Sequence, residues 1–343
     1  MVSIGIIGCG YWGPNLIRNF SEIEGCKVIC CCDLDKTRLE HIKGIYPSIK
    51  TTQDYKEILK DKNIDAVAIA TPVSTHFKIA KDALLNKKHI LVEKPLTDNS
   101  KDVKELIDIA KKENRTLMVD HTFEYTPAVN KIRELIEKDE LGQIFTIDMM
   151  RVNLGLFQKD INVILDLVPH DASILNYVLK CEPLSVRAIG ESFIQENIED
   201  DARLILKYPN KILANIHVSW LDPCKIRKTT IVGNKKMLVY EDTEPVKKIK
   251  VYDKGVTVKK NNLPRHKYYD TFKEFQLVYR SGDVYSPELD SSEPLNVMCR
   301  HFIDCMKNNK TPRSDGLSSL RVIKIIEAAQ QSLKENGKEI KIE

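Results

Sequence analysis

Through about the first 120 residues, short apolar runs alternate with stretches of helical spacing. Val2–Ile7, Lys27–Cys32, Ala66–Ala70, Ile90–Val92 and Thr116–Val119 are runs of β-type residues, with a further short strand near Ile49. Between them, Asn15–Phe20, Thr37–Ile42, Tyr55–Leu59, Ile79–Leu85 and Val103–Lys111 repeat their apolar residues at the spacing of one helix face. Strands that alternate with helices, and are apolar on both sides, predict an α/β unit: a doubly wound parallel sheet covered on both faces. The connections are short, as such units require.

After Thr126-Pro127 the pattern changes. Ala128–Ile136 and Val163–Leu179 read as helices, and the chain between and beyond them is rich in strands. Ile212, Ala214, Ile216, Val218 and Trp220 share one face of a strand, while Asn215, His217 and Ser219 share the other. That period of two marks a sheet packed on one side. Leu184–Ile194, Arg203–Tyr208, Lys228–Val232, Met237–Tyr240 and Ile249–Val256 are further strand candidates, and helices near Leu295–Met306 and Leu317–Leu333 close the chain. The spacing therefore predicts a first domain over residues 1–122 and an α+β second domain over 123–343, the latter with a largely antiparallel sheet. Residues 259–293 have little periodicity and read as a long excursion that contacts a partner.

Composition narrows the class. At 343 residues the chain exceeds what one core usually organises. Lys and Arg number 53 against 49 Asp and Glu, and a net charge of +4 is too balanced to point to nucleic acid or an anionic membrane. No apolar run approaches the roughly 20 residues of a membrane helix, and the N-terminus reads as a strand with no secretory signal. Of the nine cysteines, Cys30, Cys31 and Cys32 are consecutive, so they point to alternate faces of a strand and cannot bridge one another. No CxxC pair or Cys/His ligand spacing occurs; the cysteines read as reduced, buried thiols of a cytoplasmic protein.

Gly8-Cys9-Gly10-Tyr11-Trp12-Gly13 follows the first strand and opens the first helix, and the second strand ends at Asp33, 20 residues beyond Gly13. That context makes it the dinucleotide fingerprint of a Rossmann domain. Gly8 allows the tight turn, Gly10 lets the backbone approach a pyrophosphate, and Gly13 lets the helix pack on the strand. Tyr11, Trp12 and Leu34 fall beside the same turn. Asp33 accepts hydrogen bonds from ribose hydroxyls and repels a 2′-phosphate, favouring NAD over NADP, although Arg38 is near enough in sequence to offer a phosphate contact. Thr71 and Pro72, at the end of the fourth strand, border the nicotinamide half. His76 either faces the cofactor or lies in the first turn of the next helix.

The fifth strand ends in Glu93-Lys94-Pro95, and Asp166-Leu167-Val168-Pro169-His170 lies in a helix of the second half. With the fingerprint, these motifs make the whole chain resemble the glucose–fructose oxidoreductase/inositol dehydrogenase/rhizopine catabolism (Gfo/Idh/MocA) family. The resemblance implies that Lys94 lies beside substrate and nicotinamide, just before a cis-proline, with Glu93 and Thr122 also near the cofactor. It further implies that His170 is the general base, that Asp166 holds the substrate or the histidine, and that Lys94 steadies the charge on the reacting oxygen. Asp166 and His170 are i and i+4, on one helix face, unless Pro169 kinks the helix or starts it. A metal reading with His170 and Asp171 lacks further ligands.

Asp120-His121-Thr122-Phe123-Glu124-Tyr125-Thr126-Pro127 and Met150-Arg151-Val152-Asn153-Leu154-Gly155-Leu156-Phe157-Gln158 look like the nucleotide-sugar branch of that family. This implies oxidation of the 3-hydroxyl of UDP-N-acetylglucosamine or its uronic acid to a 3-keto sugar. Arg151, Asn153 and Gln158 then face sugar or cofactor, and Thr122 and Tyr125 line the interdomain cleft; Arg151 could instead pair with a carboxylate, and Phe157 and Tyr125 could be core. A 3-keto-sugar reductase, an inositol or polyol dehydrogenase, and a non-catalytic NAD-binding regulator remain alternatives. The family's habit of pairing through its open sheet implies a homo-oligomer, dimer or tetramer.

Overall fold

The computed structural model describes residues 1–258 and 277–342. The first lobe runs β1 (Val2–Ile7), α1 (Trp12–Ser21), β2 (Cys26–Cys32), α2 (Lys36–Ile45), β3 (Lys50–Thr52), α3 (Tyr55–Lys60), β4 (Ala66–Ile69), α4 (Val73–Leu85), β5 (His89–Glu93), α5 (Ser100–Lys112) and β6 (Leu117–Asp120). Its six strands are all parallel, in the order β3-β2-β1-β4-β5-β6. The order reverses between β1 and β4, the point at which such sheets open a crevice beyond the strands' carboxyl ends. Ile4 and Ile6 of β1 pack on one face with Leu16, Ile17 and Phe20, whereas Ile7 joins Ile58, Val67 and Ile69 on the other. Both faces are dry, which is why these strands are continuously apolar.

A 3-10 turn, Thr122–Tyr125, leads into α6 (Pro127–Glu137), β7 (Ile144–Val152) and α7 (Val163–Leu179). Then come β8 (Ser185–Glu191), β9 (Asp201–Lys207), β10 (Leu213–Ser219), β11 (Ile226–Gly233), β12 (Met237–Glu241), β13 (Ile249–Val258) and β14 (Leu277–Tyr285). Helices α8 (Pro294–Asn308) and α9 (Gly316–Lys334) and the short β15 (Ile340–Lys341) end the chain. The second sheet has nine strands in the order β14-β13-β12-β11-β7-β10-β9-β8-β15. Every pairing is antiparallel except β7 with β10 at its centre. α7 and α9 pack against one face of this sheet, where Ala214, Ile216 and Val218 are buried; Met150 and Ile205 lie exposed on the other face.

Two features differ from expectation. Of the excursion expected over 259–293, residues 277–285 form β14, hydrogen-bonded to β13, and residues 259–276 lie outside the described residues. Pro169 neither starts nor breaks α7, because the Asn162 side chain caps the helix seven residues earlier, accepting from the Leu165 amide at 3.1 Å. Helices of the second lobe also return to pack on the first. α8 lies on α1, with Phe302 against Phe20 at 6.3 Å between centroids, and α9 lies on α5. Among the described residues, no helix is long and apolar enough to cross a membrane.

Candidate active site

Side chains cap α2, α3 and α5: Asp35, Asp54 and Asn99 accept from the first-turn amides of their helices. α1 and α4, the helices that follow β1 and β4, carry no side-chain cap. Their free N–H groups and positive dipole ends therefore open on the crevice, as an anionic ligand needs. The glycines fit the same purpose. Gly8 has φ +98°, and a Cβ there would lie 2.4 Å from the Ala70 carbonyl oxygen; at Gly13 it would lie 2.2 Å from that of Gly8. A Cβ at Gly10 would meet only Arg38, at 3.6 Å, so there the backbone is open to a ligand.

Asp33 is held ready beside this turn, accepting from the Cys9 amide at 2.7 Å and the Asp35 amide at 2.9 Å. Its remaining lone pairs can take ribose hydroxyls. Arg38 is drawn to Asp33 and Asp35, at 3.5 and 3.6 Å, which offsets the charge it could offer to a phosphate. Tyr11, Trp12 and Leu34 stand exposed around the turn, Tyr11 and Leu34 by more than four-fifths. These residues fit a dinucleotide with free ribose hydroxyls. Thr71 accepts a hydrogen bond from Thr75, and Pro72 precedes α4. His76 lies in the first turn of α4, buried, its ring nitrogens 2.9 and 2.8 Å from the carbonyls of Pro95 and Thr71. It ties the ends of β4 and β5 together.

At the carboxyl end of β5 the two lobes meet. The Lys94–Pro95 peptide is cis, and the Lys94 ammonium reaches α7, donating to the Asp166 carbonyl at 2.8 Å and its carboxylate at 3.1 Å. The other carboxylate oxygen of Asp166 accepts from the Trp220 indole at 3.0 Å. His170, one turn along α7, packs edge-on against Phe123 at 5.2 Å, and its Nδ1 has no hydrogen-bond partner among the described residues. Burial, with the charges of Lys94, Arg151 and Arg227, holds its pKa well below the usual imidazole value. The imidazole is therefore neutral and able to accept a proton at pH 7.

Behind Lys94 lies a buried polar group, of which the sequence singled out Glu93 and Thr122 but not Asp120 or His121. Glu93 and Asp120 are register partners on β5 and β6; burial pushes both carboxyls up, and the Asp120 charge pushes Glu93 further. His121 is buried with both ring nitrogens unpartnered among the described residues, and burial pushes it down to about 3. Thr122 donates from its amide and hydroxyl to Asp120.

Other expected contacts lie elsewhere. Arg151 is buried and bonds Asp171 through Nε at 3.1 Å and a terminal nitrogen at 2.7 Å, its guanidinium over the Phe123 ring at 4.5 Å. It stands beneath the site wall. Tyr125 belongs to the core instead of the cleft: it is 2% exposed, 3.2 Å from the Ser314 hydroxyl and beneath the Arg313 guanidinium. Asn153 is half-buried and its backbone N–H donates to the Ser219 carbonyl, and the Gln158 side chain bonds the Leu156 carbonyl in its own loop. Phe157 packs on Trp220 at 5.7 Å. The sequence places Trp220 only on the packed face of its strand; its position just past β10 is the signal for its polar role.

Comparison with known proteins bears on the fold and the family. Residues 2–121 match the model of the GFO/IDH/MocA oxidoreductase family, NAD-binding Rossmann fold, and residues 129–239 match the GFO/IDH/MocA C-terminal domain. The uncharacterized oxidoreductase YrbE of Bacillus subtilis is 24% identical over 96% of this chain and 93% of its own length. The scyllo-inositol 2-dehydrogenase (NAD(+)) of the same organism is 24% identical over 100% of this chain and 96% of its own. The UDP-N-acetylglucosamine 3-dehydrogenase of Acidithiobacillus ferrooxidans is 31% identical over 46% of this chain and 49% of its own. A solved structure of that name from the same organism superposes with a TM-score of 0.78 at 21% identity, covering 97% of both chains.

Proposed function

The chain belongs to the GFO/IDH/MocA family of NAD-binding oxidoreductases, and from that premise we propose that it oxidises the 3-hydroxyl of a UDP-N-acetylglucosamine-type nucleotide sugar to a 3-keto sugar. One observation carries the chemistry: the Lys94 ammonium of the first lobe meets Asp166 of the second at 2.8 and 3.1 Å, with the neutral His170 imidazole within range of its charge. NAD, when bound, supplies the hydride acceptor. His170 takes the hydroxyl proton as the hydride leaves the same carbon. Lys94 donates to that oxygen and offsets its developing negative charge, while Asp166, fixed by Trp220, aims the ammonium. The amides of the Gly8–Gly13 turn and of α1 hold the pyrophosphate, and Asp33 holds the adenosine ribose.

A neutral imidazole can take the hydroxyl proton in oxidation, and the imidazolium so formed returns it in the reverse direction. The nucleotide-sugar substrate is supported by the likeness to UDP-N-acetylglucosamine 3-dehydrogenase. The end-to-end match with an inositol dehydrogenase favours a second reading, a free cyclic polyol. The test follows NADH formation with UDP-N-acetylglucosamine, its uronic acid, myo-inositol and scyllo-inositol, with a carbonyl trap to pull the equilibrium. Turnover of the UDP-sugars is expected; turnover of the inositols alone would overturn the substrate. We also propose that the open face of the second sheet, with Met150 and Ile205 exposed, pairs with a second copy of the chain. Light scattering should then give a dimer or tetramer, and a monomer at micromolar concentration would refute the pairing.

A further inference from the structure

A second cleft, of about 440 Å³, opens between α6, the last turn of α7, the first turns of α9 and the Thr122–Tyr125 turn. Asn176 and His170 are both on α7, but six residues separate them, about 9 Å and 1.7 turns, so they face different ways. The cleft is therefore distinct from the reaction centre. Glu124 lines it. That residue is 2% exposed. Asn176 lines it too, with both amide atoms buried and unpartnered among the described residues. Buried polar groups are nearly always satisfied, so an orphaned amide facing this cavity points to an absent partner.

The charges say what kind. Arg133, Lys180, Arg313 and Arg321 line the cleft. Glu137 pairs with both Arg133 and Lys180, and Glu182 with Arg321. Arg313 has no carboxylate partner among the described residues; it donates to the Glu124 carbonyl and, at 3.2 Å, to the Asn130 side chain. Four cations thus face two paired carboxylates. Burial pushes the Glu124 carboxyl up to about 8, so at pH 7 it is mostly protonated and does not oppose an anion. Guanidinium groups with a protonated acid and an amide match an oxyanion attached to a polar body.

We propose that this cleft is a second small-molecule site, which takes a phosphate- or carboxylate-bearing metabolite. Its occupant would touch the turn that also presents Phe123 to His170. The inference does not depend on the substrate named above, and its test needs no turnover. The full chain is titrated by calorimetry with inorganic phosphate, glucose 6-phosphate and citrate, against sodium chloride at matched ionic strength, with and without saturating NAD. One saturable site per chain is expected for at least one probe, unaffected by NAD. Arg321→Gln, at a half-exposed position that tolerates the change, should weaken it about tenfold, and Asn176→Leu should remove both amide contacts and weaken it further, both with NAD affinity intact. No saturable binding by any probe overturns the proposal, as does binding that NAD displaces or that both variants leave intact.

Discussion

The two ends of the active site are made of different materials. The nucleotide end is backbone: three glycines, the uncapped start of α1, and one carboxylate held by amides. The reaction end is side chain: an ammonium from one lobe, an imidazole and carboxylate from the other, braced by the buried Arg151–Asp171 pair. A backbone site fails when atoms are added, and a side-chain site fails when they are removed. The first tolerates most changes around it, whereas the second depends on charges that balance only together.

The sharpest break should come beneath the reaction end. Arg151→Leu leaves Asp171 buried without its cation and should cost about 3–5 kcal/mol in denaturant unfolding; a loss under about 1 kcal/mol would show that the pair is not a brace. Next, Lys94→Ala and His170→Asn should each lower turnover by about 100-fold or more with NAD affinity nearly unchanged, and normal turnover in both would refute the mechanism. Gly13→Ala should invert that pattern: its Cβ would press on the Gly8 carbonyl, weakening NAD about tenfold while turnover at saturating NAD stays near normal. Equal losses of both quantities in all three variants would erase the contrast between the two ends. The smallest effect is in pH. Because burial and three cations depress the His170 pKa, the base form persists below the ordinary imidazole value. Oxidation should therefore fall off with acid only below about pH 6.5, and a limb at or above that value would contradict the buried, cation-flanked imidazole.

The same contrast explains what could be read in the chain. Gly8, Gly10 and Gly13 announce their role because only glycine meets the steric demand, and the limits of α7 follow from its periodicity and Asn162. The reaction end was legible only as motifs. That Lys94 reaches Asp166, 72 residues away, depends on how α7 lies over the first lobe. Arg151 and Asp171 lie 20 residues apart, and only the packing of α7 on the sheet brings β7 and that helix together. Tyr125 looked like a cleft residue from its neighbours in sequence, yet its hydroxyl partner is 189 positions away. β14 escaped notice because its apolar residues, Leu277 to Tyr279 and Val284-Tyr285, are split by Arg280-Ser281-Gly282-Asp283 and show no period of two.

The return of α8 to α1 has a consequence for biosynthesis. Leu295, Met298, Phe302 and Ile303 are part of the same buried cluster as Ile4, Ile6 and Phe20. A nascent chain can pair the strands of its nucleotide lobe early, but the apolar flank of α1 stays wet until residues past 300 leave the ribosome. Premature termination in the second lobe ahead of α8 would thus release a sticky amino-terminal fragment instead of a self-sufficient dinucleotide module.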